Sequence, residues 1–150
     1  MNYELLLMES DRNNIITKEK PLRLHDGRIK GNKILIRSDM SIIRKSCVLA
    51  EELGHYYTTV GNILDQTDEG NRKQELRARL WAYNKLIGLD GIIRAYENGC
   101  TSPYETAEYL EVTEDFLSET LQTYKSKYGD GIEFGKYKIS FNPTLEVLPK

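Results

Sequence analysis

The hydrophobic pattern begins with two short segments of different period. Leu5, Leu6 and Met8 recur at helical spacing within residues 2–12 and predict a short helix whose inward side they form. Ile15 and Ile16 then begin an extended segment that Pro21 ends, because proline cannot donate to a strand ladder. The chain is therefore expected to open with one helix and one strand.

The next stretch, "RIKGNKILIR", alternates apolar and polar residues around Gly31-Asn32. Alternation is the period of a strand, and a glycine-asparagine pair is typical of a two-residue hairpin turn. This pattern predicts two strands joined at that turn. Ser38, Asp39 or Ser41 can then cap a following helix, since each side chain can accept a hydrogen bond from a free N–H of its first turn.

Five helices are predicted after the hairpin. The first spans about residues 41–59, and its buried stripe is formed by residues at helical spacing: Ile43, Cys47, Ala50, Gly54 and Tyr57. Residues 60–72 carry two glycines and three acids and predict a loop. Further helices are expected at about 72–87 and 89–98. A pair follows in "SPYETAEYLEVTEDFLSETL", separated at "EVT", and the tail "KYKISFNPTLEVLP" is predicted to be extended.

These elements predict an α+β fold in which helices dominate and a small sheet lies near the ends of the chain. The 150 residues suit one domain. A net charge of −2 gives no bulk attraction to nucleic acid or to an anionic membrane. No apolar run approaches 18 residues, and Cys47 and Cys100 do not form a disulfide framework. We expect a cytoplasmic protein, favoured as a monomer, without direct nucleic-acid or membrane contact.

Candidate chemistry lies in "LAEELGHYYTT", residues 49–59. In an H-E-x-x-H helix, two histidines one turn apart bind zinc, and the glutamate beside the first acts as general base. Here Glu51 and His55 have the four-residue spacing, and Glu52 occupies the place of the base. A carboxylate oxygen can ligate zinc at about the distance of an imidazole nitrogen, so Glu51 is a chemically competent ligand.

Glu75 is the best candidate for a third ligand. Ala78 and Ala82 follow it on the same helical face, as Gly54 and Ala50 accompany His55 on the preceding helix. Small facing residues allow two helices to approach closely, which would let one metal ion reach both.

Other interpretations of these residues remain open. A glutamate pair followed by a histidine is often a solvated helix face, and Glu75 could simply pair with Arg79 one turn on. His25 is interpreted as a turn residue that could line the cleft. Tyr56 and Tyr57 could polarise a substrate carbonyl, although Tyr57 faces the expected core.

Two segments together resemble a known family: "CVLAEELGHYYTTVGNI" and "RKQELRARLWAYNKLI". They look like the ImmA/IrrE metallo-endopeptidases, particularly the short forms of phages and mobile elements. The resemblance covers about residues 47–90 and extends more loosely through "GCTSPYETAEYLEVTEDFL". It implies a single zincin-like domain over residues 1–150. Residues 1–96 would hold the strands and active-site helices, and residues 97–150 a helical hairpin and an extended tail.

The resemblance also implies a function. Zn²⁺ would be bound by Glu51, His55 and Glu75, with Glu52 as general base. The partner would be a helix-turn-helix repressor that is cleaved or otherwise inactivated, so that phage or mobile-element genes are derepressed.

This chain departs from many family members at Glu51, where they carry histidine. A second carboxylate neutralises more of the metal's charge, so the pKa of bound water would fall less. Carboxylate-rich sites also suit Mn²⁺ better than histidine-rich sites do. A non-catalytic protein that binds the repressor without cutting it is therefore an alternative function.

A DNA-binding adaptor is a rival from another class. The segment after Pro103 has the apolar spacing of a helix-turn-helix. Ala107 and Leu110 precede Val112 at the turn, and Phe116 and Leu117 follow it. Residues 97–124, however, hold seven acids and no lysine or arginine, and such a segment would repel phosphates. A helical hairpin that walls the cleft is favoured instead.

Overall fold

The computed structural model describes residues 2–59 and 68–150, with only the backbone described at residues 68 and 69. The helices are α1 Asn2–Arg12, α2 Ile42–Thr59, α3 Asp68–Leu86, α4 Gly88–Glu97, α5 Pro103–Leu110 and α6 Glu114–Tyr128. The strands are β1 Ile16–Lys20, β2 Gly27–Lys30, β3 Lys33–Arg37, β4 Gly131–Phe134, β5 Tyr137–Ser140 and β6 Glu146–Pro149. Contacts divide the chain into two compact units, Met1–Lys85 and Leu86–Lys150.

The N-terminal unit is built on a three-stranded sheet of order β1-β3-β2. Strand β1 runs parallel to β3, and β2 pairs antiparallel with β3 through the hairpin predicted at Gly31-Asn32. Gly31 adopts a φ of +60°, which suits glycine because it has no Cβ to clash. Ile34 and Ile36 of the central strand are fully buried on the inner face of this sheet.

Helix α1 has the predicted boundaries, but its buried side differs from the prediction. Tyr3, Leu6 and Ser10 face inward, and Ser10 and Tyr3 form hydrogen bonds with Thr17 and Glu19 of strand β1. Leu6 is buried as expected. The prediction was wrong for Leu5 and Met8, which are 59% and 57% exposed because they lie on the opposite side of the helix.

Helix α2 begins where the sequence predicts it. Of the three proposed caps, Ser41 performs that role, because its hydroxyl accepts a hydrogen bond from the N–H of Arg44. Cys47, Ala50 and Gly54 are buried in the predicted stripe. Ile43 was wrongly placed in it and is 39% exposed, since the buried face runs instead through residues that the pattern passed over: Ser46, Leu49 and Leu53.

Helix α3 starts four residues earlier than predicted. The loop was expected at residues 60–72, but the structure is helical from Asp68, so residues 68–72 were wrongly assigned. The first part of the predicted loop, residues 60–67, lies outside the described residues.

Helices α2 and α3 approach each other through small residues, as predicted. Ala50, Ala78 and Ala82 are fully buried. A Cβ built on Gly54 would lie 2.2 Å from the carbonyl oxygen of Ala78, so backbone meets backbone at this point. The absence of a side chain at residue 54 therefore sets the separation of the two helices.

The C-terminal unit contains α4, the predicted hairpin of α5 and α6, and an antiparallel sheet of order β4-β5-β6. Side chains of Ser102 and Thr113 cap α5 and α6. The apolar residues predicted to face inward in the hairpin are all buried: Ala107, Leu110, Val112, Phe116 and Leu117. The extended tail was predicted, and it forms β5 and β6.

The α+β class with a C-terminal helical hairpin is confirmed. The chain has two three-stranded sheets where one small sheet was expected, because the tail pairs with β4 rather than with the N-terminal strands. Within the described ranges, no helix is both long and apolar enough to cross a membrane.

The Gly54 contact gives a direct test of this packing. We expect Gly54→Ala to lower the free energy of unfolding by about 1–3 kcal/mol or more, because the methyl group must push the two helices apart. The measurement is urea denaturation followed by circular dichroism.

Gly91→Ala is the matched control in α4. A Cβ at Gly91 would lie 3.4 Å from its nearest neighbour, an ordinary van der Waals distance. The free energy of unfolding of this variant should therefore be unchanged, or higher by about 0.5–1 kcal/mol because alanine favours the helix more than glycine does. Equal effects of the two substitutions would contradict the close approach at Gly54.

Candidate metal and catalytic site

One unbroken helix presents three of the four candidate site residues. Helix α2 runs from Ile42 to Thr59, so Glu51 and His55 lie one turn apart on the same side, with Glu52 beside them. All three side chains are partly buried. The backbone arrangement that the sequence predicted for them is therefore present.

Helix α3 brings Glu75 to the histidine. The Nε2 atom of His55 lies 3.3 Å from Oε2 of Glu75. The other carboxylate oxygen of Glu75 accepts a hydrogen bond from Nε of Arg79 at 3.2 Å. One oxygen of Glu75 therefore pairs with Arg79, as the alternative interpretation expects, and the other faces His55.

Glu52 lies beneath the edge strand β2. A Cβ built on Gly27 would lie 3.1 Å from Cγ of Glu52 and 2.6 Å from Cγ1 of Val48. Gly27 was not among the predicted site residues. No local motif marks it, because the contact depends on how the sheet packs across the helix. Gly27 leaves the space that the Glu52 side chain occupies.

The surroundings of Glu52 change its acidity. Burial, followed by the negative charges of Glu51 and Glu75, raises the pKa of its carboxyl to about 7. The two neighbouring carboxylates thus act electrostatically on the same point. A carboxyl group with a pKa near neutrality can both accept and return a proton at physiological pH.

The donor chemistry of this cluster fits a divalent cation. Imidazole nitrogen and carboxylate oxygen are both zinc ligands, bound at about 2.0–2.2 Å. Two such donors on a tetrahedral ion lie about 3.3 Å apart, which matches the separation of His55 and Glu75. Among the side chains of residues 2–59 and 70–150, however, no three from His, Cys, Asp or Glu are grouped to hold an ion. The structure brings two of the three predicted ligands together, His55 and Glu75, and Glu51 is not grouped with them.

The remaining candidates lie outside this cluster. The hydroxyl of Tyr57 donates to Glu9 of α1 at 3.5 Å, and its ring packs 5.0 Å from that of Trp81. Tyr57 therefore ties α1 to α2. The ring of Tyr56 packs edge-on against Tyr57. His25 is exposed in the connection between β1 and β2.

The pKa of Glu52 predicts a pH-dependent stability in metal-free protein. Its ordinary pKa is 4.5 and its folded value about 7, so the folded state holds the proton more tightly between these pH values. The free energy of unfolding should consequently fall as pH rises from 4.5 to 7. We expect the free energy of unfolding of Glu52→Gln to exceed that of wild type by up to about 3 kcal/mol at pH 8, and by little at pH 4.

Denaturation in the presence of a chelator across this pH range measures the effect. Glu51→Gln removes the second cause of the shift and should reduce the pH dependence without abolishing it. Parallel profiles for wild type and Glu52→Gln would show that this carboxyl does not titrate as described.

Comparison with known proteins agrees with the resemblance of the motif segments. The model of the IrrE N-terminal-like domain, a peptidase family, matches residues 8–122. The match includes α2, α3 and all four candidate residues. A search among curated proteins finds no significant match. Since the family model covers well over half of the 150 residues, the chain belongs to the IrrE N-terminal-like family of metallopeptidases.

Proposed function

We propose that the protein is a metal-dependent endopeptidase that cleaves or inactivates a helix-turn-helix repressor of a phage or mobile element. The observation that carries this proposal is the 3.3 Å contact between His55 and Glu75, formed next to Glu52 on the motif helix. Membership of a metallopeptidase family supports it.

The proposed ligands are Glu51, His55 and Glu75. A divalent metal, Zn²⁺ or Mn²⁺, would polarise a peptide carbonyl and make water more acidic. Glu51 stands one helical turn before His55 on the same side, so its side chain can reach the space beside Nε2. Arg79 holds the second oxygen of Glu75 and thereby orients that carboxylate.

Glu52 is proposed as general base. It takes the proton from the attacking water and returns it to the leaving amine, so that no net proton is consumed in peptide-bond cleavage. Gly27 packs against its side chain and restricts its position. The partly buried location favours proton transfer at neutral pH over permanent ionisation.

The C-terminal hairpin is proposed to recognise the repressor. Residues 97–124 carry seven acids and no lysine or arginine. Six of these acids are exposed: Glu97, Glu105, Glu108, Glu114, Asp115 and Glu119. The DNA-contacting face of a repressor is basic, so the two surfaces complement each other in charge. The same acids oppose DNA binding by this hairpin.

A non-catalytic repressor-binding protein is the second candidate. It is favoured by one observation, that Glu51 is not grouped with His55 and Glu75 among the described side chains. Such a protein would need the fold and the acidic hairpin but no complete ligand set.

Metal content and cleavage of the repressor together separate these two functions. We expect wild-type protein, after loading with zinc, to hold one ion per chain and His55→Ala to hold none, because the only nitrogen donor of the set is lost. Elemental analysis gives the stoichiometry. His25→Ala is the matched control, since it removes the other histidine, and it should bind like wild type. Equal metal in His55→Ala and wild type would exclude this site.

Substitutions of the two motif glutamates test their separate roles. Glu51→His should strengthen zinc binding, because it adds a nitrogen donor and removes one negative charge. Glu52→Gln should keep the metal but slow cleavage by about 10²–10⁴-fold, since an amide cannot accept the proton. The measurements are zinc affinity and cleavage of the proposed substrate, a helix-turn-helix repressor. Unchanged zinc affinity in Glu51→His would make Glu51 a solvated helix residue, and wild-type cleavage by Glu52→Gln would exclude it as the base.

A further inference from the structure

The outer face of the N-terminal sheet collects basic side chains. Side chains of Thr17, Glu19, Ile34 and Ile36 point inward, so the alternate positions of the strands point to solvent. Strand register places these outward positions in cross-strand rows: Ile16, Lys33 and Lys30 in one row, Lys18, Leu35 and Arg28 in the next, and Lys20 and Arg37 in the third. Six of the eight are lysine or arginine.

Five of these cations make no ion pair with any residue that the structure describes. Arg37 differs, because it pairs with Asp39 at 2.6 Å and with Asp26 at 3.5 Å. The other five form what we call the basic sheet face: Lys18, Lys20, Arg28, Lys30 and Lys33. All five are exposed. Glu19 is the one acid within the three strands, and it faces inward, where it accepts hydrogen bonds from Lys45 and Tyr3.

The spacing of these charges follows from sheet geometry. Neighbouring strands lie about 4.8 Å apart, and alternate residues on one strand lie about 6.7 Å apart. The basic sheet face therefore covers roughly 10 by 13 Å on a rigid support. A duplex presents one phosphate per about 3.4 Å along each strand, and its minor groove is about 6 Å wide. A face of this size can reach phosphates on both sides of that groove.

We propose that the basic sheet face binds the phosphate backbone of double-stranded nucleic acid without reading its sequence. Four of the five cations are lysines, which are mobile point charges suited to phosphate contact. Protein–protein interfaces are depleted of lysine, whereas protein–DNA interfaces are strongly basic. The outward positions hold no aromatic residue for stacking on single-stranded bases or for insertion into a membrane interface.

The net charge of −2 does not prevent the basic sheet face from binding phosphates. Acids and bases are unevenly distributed, with seven acids and no base in residues 97–124 and six outward bases in the N-terminal sheet. Counterion release depends on the local contacts made with phosphates, whereas the net charge acts only at long range. The expectation of no direct nucleic-acid contact was drawn from the net charge, and it remains the expectation for the C-terminal hairpin.

The test compares two triple variants of the full chain. Lys18→Gln, Lys30→Gln and Lys33→Gln together neutralise three positions of the basic sheet face. Lys127→Gln, Lys136→Gln and Lys138→Gln neutralise three lysines of the C-terminal unit and change the net charge by the same amount. Fluorescence anisotropy with a labelled 20-base-pair duplex of arbitrary sequence gives the affinity over a range of salt concentrations, and circular dichroism checks the fold.

Wild type is expected to bind the duplex with a slope of log affinity against log salt of about −4.5, as about five phosphate contacts require. The sheet triple variant should lose at least about tenfold in affinity and reduce the slope by about 2.7, while the control triple variant stays close to wild type. Peptidase activity is not needed for this readout, so Glu52→Gln should bind the duplex like wild type.

Three results would overturn the proposal. One is no binding of wild type to the duplex at 50 mM salt. Another is an equal loss of affinity in the two triple variants, which would trace binding to net charge. The third is a preference for another polyanion. Equal competition by a polyglutamate peptide of the same charge would assign the face to an acidic protein, and binding only to phosphatidylserine vesicles would assign it to a membrane.

Discussion

The contact between Gly54 and the backbone of Ala78 is the constraint on which the candidate site depends. Helix α2 carries Glu51, Glu52 and His55, whereas Glu75 belongs to α3. Long side chains at the crossing would hold these helices farther apart, and His55 and Glu75 would not meet at 3.3 Å. Close packing of small residues is therefore what converts two separate motifs into one cluster.

The cluster is electrostatically costly to assemble. The carboxylates of Glu51 and Glu75 both repel a negative charge on Glu52, and the raised pKa of Glu52 reflects its burial first and this repulsion second. Arg79 offsets part of this charge by pairing with Glu75. An arrangement of this kind is expected where a site is organised for a cation or for proton transfer, because a fold selected for stability alone would have no need of it.

The two units of the chain carry opposite surface charge. The N-terminal sheet exposes lysines and arginines, and the α5–α6 hairpin exposes acids. Partners of opposite sign can therefore be attracted to different parts of one small protein. The net charge of −2 conceals this separation, because the contributions nearly cancel.

The sequence by itself determined what depends on local period and local chemistry. Helix α1, the hairpin at Gly31-Asn32 and the start of helix α2 follow from residues that are neighbours in the chain, so their positions could be predicted. The same holds for the one-turn spacing of Glu51 and His55, which any unbroken helix produces.

Only the tertiary structure decided which faces are buried and which distant residues meet. The exposed positions of Leu5, Met8 and Ile43 could not be predicted, because helical spacing alone does not say which side a neighbouring element covers. The packing of Gly27 against Glu52 and the outward direction of five basic residues arise from strand order and register. These properties are set by contacts between segments far apart in the chain, and local propensity carries no information about them.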